Sequence, residues 1–259
     1  MILILIGDYV TRKSHNNDII FKVIKKEKNT CYLKGVEIRL IADADEKDLV
    51  KVENKLDNSS CEYAYKILND RSLNRSDYFY LPGKILHIDG DSEYLKKCME
   101  FYKNAHVLAF GKSLNEKDMS NKIIEYLEEV NPDILIITGH DAYYGKETKK
   151  YKNSANFIKA VRKAREYEKS NEGLIIIAGA CQSDYENLIK SGATFASSPK
   201  RVNIHALDPA IIAVTLSYSD RSKEIDLIDT LSKTKYGVDG IGGIRTKGTM
   251  YVGYPRNGE

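Results

Sequence analysis

The chain has 259 residues, of which 42% are hydrophobic and 30% charged, and its formal net charge is +3. This length predicts one large domain, or an ordinary domain with a smaller one, and the apolar content excludes a broadly disordered chain. The small charge excess argues against a dedicated nucleic-acid-binding protein, which carries a strong basic patch. The 4 cysteines and 5 histidines are scattered and form no CxxC pair. That scatter excludes a disulfide scaffold and gives no sign of a metal site.

The chain begins with an apolar stretch that is only six residues long, because Gly7 and Asp8 follow at once. A signal peptide or a membrane span needs a longer apolar stretch. We therefore expect a cytoplasmic protein without a membrane span.

Residues 1–52 show several short strands separated by turn-rich clusters. Apolar and β-branched residues recur at 8–11, 19–24, 31–33 and 38–41. Strands at this spacing predict a small SH3-like β-barrel, which could bind a protein partner.

Residues 53–82 are polar and end in Leu81-Pro82-Gly83, a pattern that predicts a linker with one helix around 61–69.

From residue 84 the pattern becomes a regular alternation of strands and helices. Apolar runs predict buried strands at 85–88, 106–110, 134–137, 174–177 and 192–196. Apolar residues at helical spacing predict helices from 92 and over 119–130, 157–164 and 184–190. This alternation indicates an α/β domain over residues 83–259, with a parallel-rich sheet between two layers of helices.

In a sheet of this kind, a ligand binds beyond the carboxyl ends of the strands. Two of these ends are alike, since Gly139-His140 follows one apolar run and Gly179-Ala180-Cys181 follows another. A right-handed crossover brings both ends to the same edge of the sheet. A histidine can take the proton of a cysteine nucleophile, and the N–H groups of tight turns can hold an oxyanion. The pattern permits a His140–Cys181 dyad, with His205 as a rival base, and leaves an inert buried Cys181 equally open.

The segments ILIITGH, ending at His140, and LIIIAGAC, ending at Cys181, resemble the signature of the caspase-like cysteine peptidases. With GDYVTRKS at 7–14 and HALDP at 205–209, the whole chain resembles the YabG family of sporulation-specific proteases. The resemblance implies a caspase-like fold and a cysteine endopeptidase that cleaves spore-coat and related proteins after Arg or Lys. It implies an acyl-enzyme, no metal or organic cofactor, and a location in the mother cell or the forming spore coat.

The resemblance also implies roles for further residues. The backbone N–H groups of Asp141 and Cys181 would form the oxyanion hole, although caspase-like peptidases commonly have glycine where this chain has Asp141. A basic substrate side chain needs a carboxylate, which Asp89 or Asp91 would supply; the plainer role of these two is to cap the helix from Ser92. The strand that contains Ser197 and leads into Ser198 would pair with the extended substrate backbone.

Two other classes of protein stay open on the sequence alone. A flavodoxin-like nucleotide-binding or regulatory protein would use the glycine-rich segment 240–243. That segment does not open a helix after a strand, as a dinucleotide-binding loop does. A thiol-based redox protein would need a resolving cysteine, and no cysteine lies near Cys181 in the sequence.

Overall fold

The computed structural model describes residues 3–52, 78–144 and 150–254. The helix predicted around 61–69 lies outside these ranges, as does most of the predicted linker. Among the described helices, none combines the length and apolar character needed to cross a bilayer.

The N-terminal part is an antiparallel sheet of short strands. In the described residues it contains β1 (Tyr9–Arg12), β2 (Phe21–Glu27), β3 (Thr30–Gly35), β4 (Ile41–Asp45) and β5 (Leu49–Lys51), in the order β4-β3-β2-β1-β5. One side of the sheet buries its own small core, which includes Val10, Phe21 and Leu33.

The strand predicted over 38–41 starts only at Ile41. Residues 36–40 leave the N-terminal sheet, and Ile38 forms a single antiparallel bridge with His205 instead. The apolar run at this point is therefore a contact with the rest of the molecule rather than the start of a strand.

The central sheet confirms the α/β class. In the described residues it contains β7 (Ile85–Asp89), β8 (Ala109–Ser113), β9 (Ile134–Thr138), β10 (Ile175–Ala178), β11 (Phe195–Ser197) and β12 (Ile241–Gly243), in the order β12-β11-β10-β9-β7-β8. Neighbouring strands are parallel except for β12, which runs antiparallel to β11. A separate antiparallel pair joins β6 (Phe79–Leu81) to β13 (Tyr251–Gly253). His106 lies before β8, exposed and with a left-handed backbone (φ 55°), so its predicted place inside a strand is wrong.

Helices cover both faces of this sheet, as predicted. They are α1 (Ser92–Asn104), α2 (Glu116–Val130), α3 (Ser154–Tyr167), α4 (Tyr185–Lys190), α5 (Asp208–Ser217), α6 (Leu227–Ser232) and α7 (Gly237–Gly240). Ile134 and Ile136 pack in one core with residues of α1 and α5. Leu135 and Ile137 pack in the other core, with residues of α2 and α3. Because alternate side chains of a strand face opposite sides, a strand buried on both sides is apolar at most positions, and β7 departs from this with the buried His87 and Asp89.

Candidate active site at the carboxyl ends of β7, β9 and β10

Three neighbouring parallel strands end side by side. Asp89 of β7 lies opposite Thr138 of β9, and Ile137 of β9 lies opposite Ala178 of β10. The residues that follow these strands therefore meet at one edge of the sheet. This is the edge to which the sequence pattern assigns His140 and Cys181.

The His140 ring is held by Asp91. Its Nε2 lies 2.8 Å from Oδ2 of Asp91, and the side chain is 15% exposed. A carboxylate only accepts hydrogen bonds, so Nε2 carries a proton, and the tautomer compatible with this contact has its lone pair on Nδ1. That Nδ1 is buried and has no hydrogen-bond partner among the described residues. The ring also stacks at a tilt on Tyr94, with 5.7 Å between ring centroids.

The backbone of His140 is fixed as well. Its N–H donates to Oε1 of Glu116 at 2.9 Å, and its carbonyl accepts a hydrogen bond from Nδ2 of Asn153 at 2.8 Å. The main chain and the ring are thus held independently, which orients Nδ1 before any substrate arrives.

Asp91 serves two structural purposes besides its contact with His140. Its Oδ1 caps α1 by accepting hydrogen bonds from the backbone N–H groups of Glu93 and Tyr94. Its Oδ2 lies 2.6 Å from Nζ of Lys34, a residue of β3. Burial alone would raise the pKa of Asp91, but the hydrogen bond with His140 and the charge of Lys34 outweigh it and hold the pKa below its usual value. The carboxylate is therefore ionised at neutral pH.

Asp89 is buried and already paired within the protein. Its Oδ2 lies 2.7 Å from Nη1 of Arg39, and both side chains are 0% exposed. Thr138 donates its hydroxyl to the same oxygen at 2.9 Å. Burial would raise the pKa of Asp89, but Arg39 more than offsets this, and the pKa lies well below its usual value. In this arrangement Asp89 is closed to a substrate side chain, and its role in a basic pocket stays a prediction.

Sequence reasoning missed Arg39 altogether. The available signal is its position as a lone cation in the apolar segment Ile38–Ile41, because a buried charge needs a partner. That signal does not say which carboxylate the partner is.

Cys181 lies at the end of β10 in an apolar enclosure. The residue is 0% exposed and packs with Ile38 and Ile204. Its Sγ accepts a hydrogen bond from the backbone N–H of Ile204 at 3.3 Å. Burial raises the pKa of the thiol to about 12, although that N–H opposes the rise. In this arrangement the thiol is protonated at neutral pH, and it makes no hydrogen bond with His140 Nδ1.

Asp141, the residue that departs from the caspase-like pattern, holds the two turns together. Its carboxylate accepts hydrogen bonds from the backbone N–H groups of Ala142 and Asn153 and from the hydroxyls of Ser154 and Ser183. The Ser183 hydroxyl in turn accepts a hydrogen bond from the backbone N–H of Ala180, one residue before Cys181. The carboxylate is therefore occupied by structural donors and links the turn after β9 to the turn after β10.

The two serines predicted to meet the substrate backbone are enclosed. Ser197 is 1% exposed and pairs with Ile241 of β12, while Phe195 and Ala196 of the same strand pair with β10. Ser198 has a left-handed backbone (φ 65°), and its hydroxyl accepts a hydrogen bond from the N–H of Gln182 at 2.9 Å. It thereby supports the turn that carries Cys181, and substrate pairing by both serines stays a prediction.

His205 as the base and segment 240–243 as a nucleotide-binding loop are both disfavoured by their surroundings. His205 is 3% exposed, and burial lowers its pKa to about 3, so it is a weak base. The glycine-rich segment ends the short helix α7 and forms the strand β12, the reverse of a strand followed by a helix. A Cβ atom on Gly242 would lie 2.6 Å from the Tyr185 hydroxyl, so this glycine permits close packing.

Comparison with known proteins identifies the class. A family model described as YabG peptidase U57 matches residues 5–255, so the chain belongs to this family of peptidases. The chain is also 40% identical to the sporulation-specific protease YabG of Bacillus subtilis (strain 168) over 96% of this chain and 97% of that protein. Both matches confirm the resemblance to the YabG family and support a protease rather than a nucleotide-binding regulator.

Proposed function

We propose that this chain is a sporulation-associated cysteine endopeptidase in which Cys181 is the nucleophile and His140 the base. The observation that carries the proposal is the hydrogen bond between Asp91 and Nε2 of His140. It leaves the buried Nδ1 of His140 without a partner in the described part of the chain, at the sheet edge where the neighbouring strand delivers Cys181. A nucleophile, its base and a third group that orients the base are the parts that covalent catalysis requires.

The reaction follows from these parts. His140 Nδ1 takes the thiol proton of Cys181, and the sulfur attacks the scissile carbonyl carbon, forming an S–C bond. The oxyanion is stabilised by the backbone N–H groups of Asp141 and Cys181. Among the described residues neither group donates to the backbone or side chain of another residue. The imidazolium then gives its proton to the leaving amine. Water, deprotonated by His140, attacks the acyl-enzyme and releases the acid and the thiol.

Asp91 is a positioning residue in this scheme. It holds His140 in the tautomer with the proton on Nε2 and stabilises the imidazolium that forms during attack. The carboxylate is ionised because Lys34 and His140 both favour its charged form.

For the fold we assign a caspase-like peptidase domain to residues 83–259, an SH3-like barrel to residues 1–52 and a linker to residues 53–82. The parallel order β10-β9-β7-β8 with an antiparallel β12 beyond β11 supports the first assignment. The antiparallel sheet with its own core supports the second, and a protein partner is the ligand assigned to it.

For specificity we assign cleavage after Arg or Lys in spore-coat proteins. The support is the carboxylate at the end of β7 that already accepts an ammonium group, since Lys34 Nζ lies 2.6 Å from Asp91 and 2.7 Å from Glu93. This geometry favours Asp91 over the buried Asp89 as the contact for a basic side chain. The sporulation setting comes from the family and from the name of the Bacillus subtilis protein.

Purified wild type, Cys181→Ala and His140→Ala are compared on fluorogenic peptides that place Arg, Lys or Leu before the scissile bond, and on spore-coat extract. We expect both variants to lose cleavage, while Cys31→Ala, which removes a buried thiol of the N-terminal sheet, keeps it. Equal cleavage by wild type and Cys181→Ala would remove the proposed nucleophile. Activity that survives in His140→Ala but is lost in His205→Ala would transfer the role of base to His205.

A further inference from the structure

The segment that joins β3 to β4 is attached to the central domain by backbone hydrogen bonds. Around the bridge between Ile38 and His205, the N–H of Arg39 donates to the carbonyl of Ile204 at 3.3 Å. The N–H of Ala206 donates to the carbonyl of Glu37 at 2.9 Å. The segment therefore runs as one short antiparallel pairing beside the residues that enclose Cys181.

Ile38 is one of the side chains that enclose Cys181. Ile38 is 5% exposed and packs with Ile204 and Cys181, leaving Cys181 0% exposed. For nucleophilic attack, a scissile carbonyl carbon must come within about 3–3.5 Å of the sulfur. No solvent-exposed surface of Cys181 is left for that approach, so Ile38 or Ile204 has to move before a peptide can react.

The end of β3, which leads into this segment, also reaches the other half of the candidate site. Four residues before Ile38, Nζ of Lys34 lies beside the carboxylates of Asp91 and Glu93 and 4.8 Å from the centre of the Tyr94 ring. It contacts the carboxylate oxygen that also holds His140. A basic side chain of a substrate would have to replace this ammonium group in order to use the same carboxylate.

We propose that residues 34–40, which we call the cover segment, are a built-in inhibitor of the peptidase. Ile38 blocks access to Cys181, and Lys34 occupies the carboxylates of Asp91 and Glu93, where a basic substrate side chain would bind. The inference rests on the proposed function. Catalysis then requires the cover segment to separate from residues 204–206.

The closed arrangement is strongly favoured because Arg39 lies inside the cover segment. Its ion pair with Asp89 is fully buried, and separating the partners would leave an uncompensated charge in the interior. Opening is therefore rare in the resting protein, and the accessibility of Cys181 reports directly on how often it occurs.

The test measures the rate at which iodoacetamide alkylates Cys181 in the folded full chain, followed by peptide mass spectrometry so that other thiols do not interfere. We expect slow labelling in wild type. Lys34→Ala removes one attachment and should speed labelling about fivefold, the effect expected for a partly exposed ion pair. Ile38→Ala removes the block itself and should speed labelling further, and cleavage of a basic peptide should rise in the same order.

The matched control is Lys26→Ala, which breaks a half-buried ion pair with Glu46 inside the N-terminal sheet and should leave the labelling rate unchanged. The proposal is overturned if Cys181 in folded wild type reacts as fast as in urea. It is also overturned if neither Lys34→Ala nor Ile38→Ala changes the rate while circular dichroism shows both folded. Failure of the proposed function has a different signature, since Cys181→Ala would then cleave as well as wild type.

Discussion

Two ion pairs connect the N-terminal sheet region to the end of β7, with nearly equal distances and very different surroundings. Arg39 and Asp89 lie 2.7 Å apart with both side chains 0% exposed. Lys34 and Asp91 lie 2.6 Å apart, with 13% and 9% of their side chains exposed. The distance therefore does not show which ion pair holds the fold together (the anchor, Arg39–Asp89) and which can be replaced by water or by a substrate (Lys34–Asp91). Burial does, because only a charge with no access to water depends wholly on its protein partner.

The difference originates in where β7 ends. Asp89 is the last residue of the strand, so its side chain lies within the packed layer of the sheet. Asp91 is the N-cap of α1, where its oxygens reach His140 and Lys34 as well as the helix. Two carboxylates two residues apart thus have separate tasks, one structural and one at the site.

Replacing Asp91 while leaving Asp89 in place should test the role of Asp91 at the site, and we expect the largest effect on activity. In Asp91→Asn the helix cap survives, because asparagine caps as well as aspartate, but the amide cannot stabilise the imidazolium of His140. We expect kcat to fall roughly 10²-fold or more, within the range of general acid–base contributions. Steady-state kinetics on a basic peptide measure this, with enzyme concentration set by folded protein. A kcat within twofold of wild type would show that Asp91 does not position His140.

Breaking the buried anchor should have the largest effect on stability. Arg39→Met leaves Asp89 without its cation, and we expect the free energy of unfolding to drop by about 3–5 kcal/mol. Equilibrium urea unfolding measures the loss. The double variant Arg39→Met/Asp89→Asn should recover part of it. The matched control Lys51→Met, which breaks an exposed pair with Asp8, should cost less than about 1 kcal/mol. Equal losses in Arg39→Met and Lys51→Met would contradict the role of burial.

Asp208 is a third buried carboxylate, and it differs from Asp89 and Asp91 in its hydrogen-bond donors. These donors are the backbone N–H groups of His205 and Lys235 rather than a cationic side chain. Burial raises its pKa from 3.8 to about 6, although these N–H groups oppose the rise. The folded state then keeps a proton that the unfolded state has lost, so the free energy of unfolding falls as pH rises from about 4 to 6 and levels off above that.

The expected loss across this window is about 3 kcal/mol. Urea unfolding at several pH values measures it, and Asp208→Asn, which cannot titrate, isolates the contribution as the difference between the two profiles. Parallel profiles for wild type and variant would show that Asp208 titrates normally in the folded chain.

The smallest effect is expected where the ion pair reaches water. Lys34→Ala should change the free energy of unfolding by less than about 1 kcal/mol, since water can replace the ammonium group at Asp91 and Glu93. Urea unfolding beside Lys26→Ala gives the comparison. A loss near that of Arg39→Met would make Lys34 a second anchor rather than a contact that can be exchanged.

Much of the central fold was predictable from local pattern. The strands predicted at 85–88, 134–137, 174–177 and 192–196 correspond to β7, β9, β10 and β11, because most side chains of a strand covered on both faces are apolar. The same pattern brings the residues after β9 and β10 to one edge, since neighbouring parallel strands end together. The prediction of a strand from residue 38 is wrong, because an apolar segment that packs against another part of the chain has the same sequence pattern as a buried strand.

By itself, the sequence determined the α/β class, the family and the edge of the sheet that carries His140 and Cys181, because each of these depends on short-range pattern or on motifs read directly. Only the tertiary structure decided how the charged groups are paired. Asp89 meets Arg39 across 50 positions of sequence, Asp91 meets His140 across 49, and Asp141 meets Ser183 across 42. The packing of Ile38 with Cys181 is a contact of the same kind. Such pairings depend on which surfaces pack together once the chain is folded. The sequence around a carboxylate does not show which distant cation will pair with it.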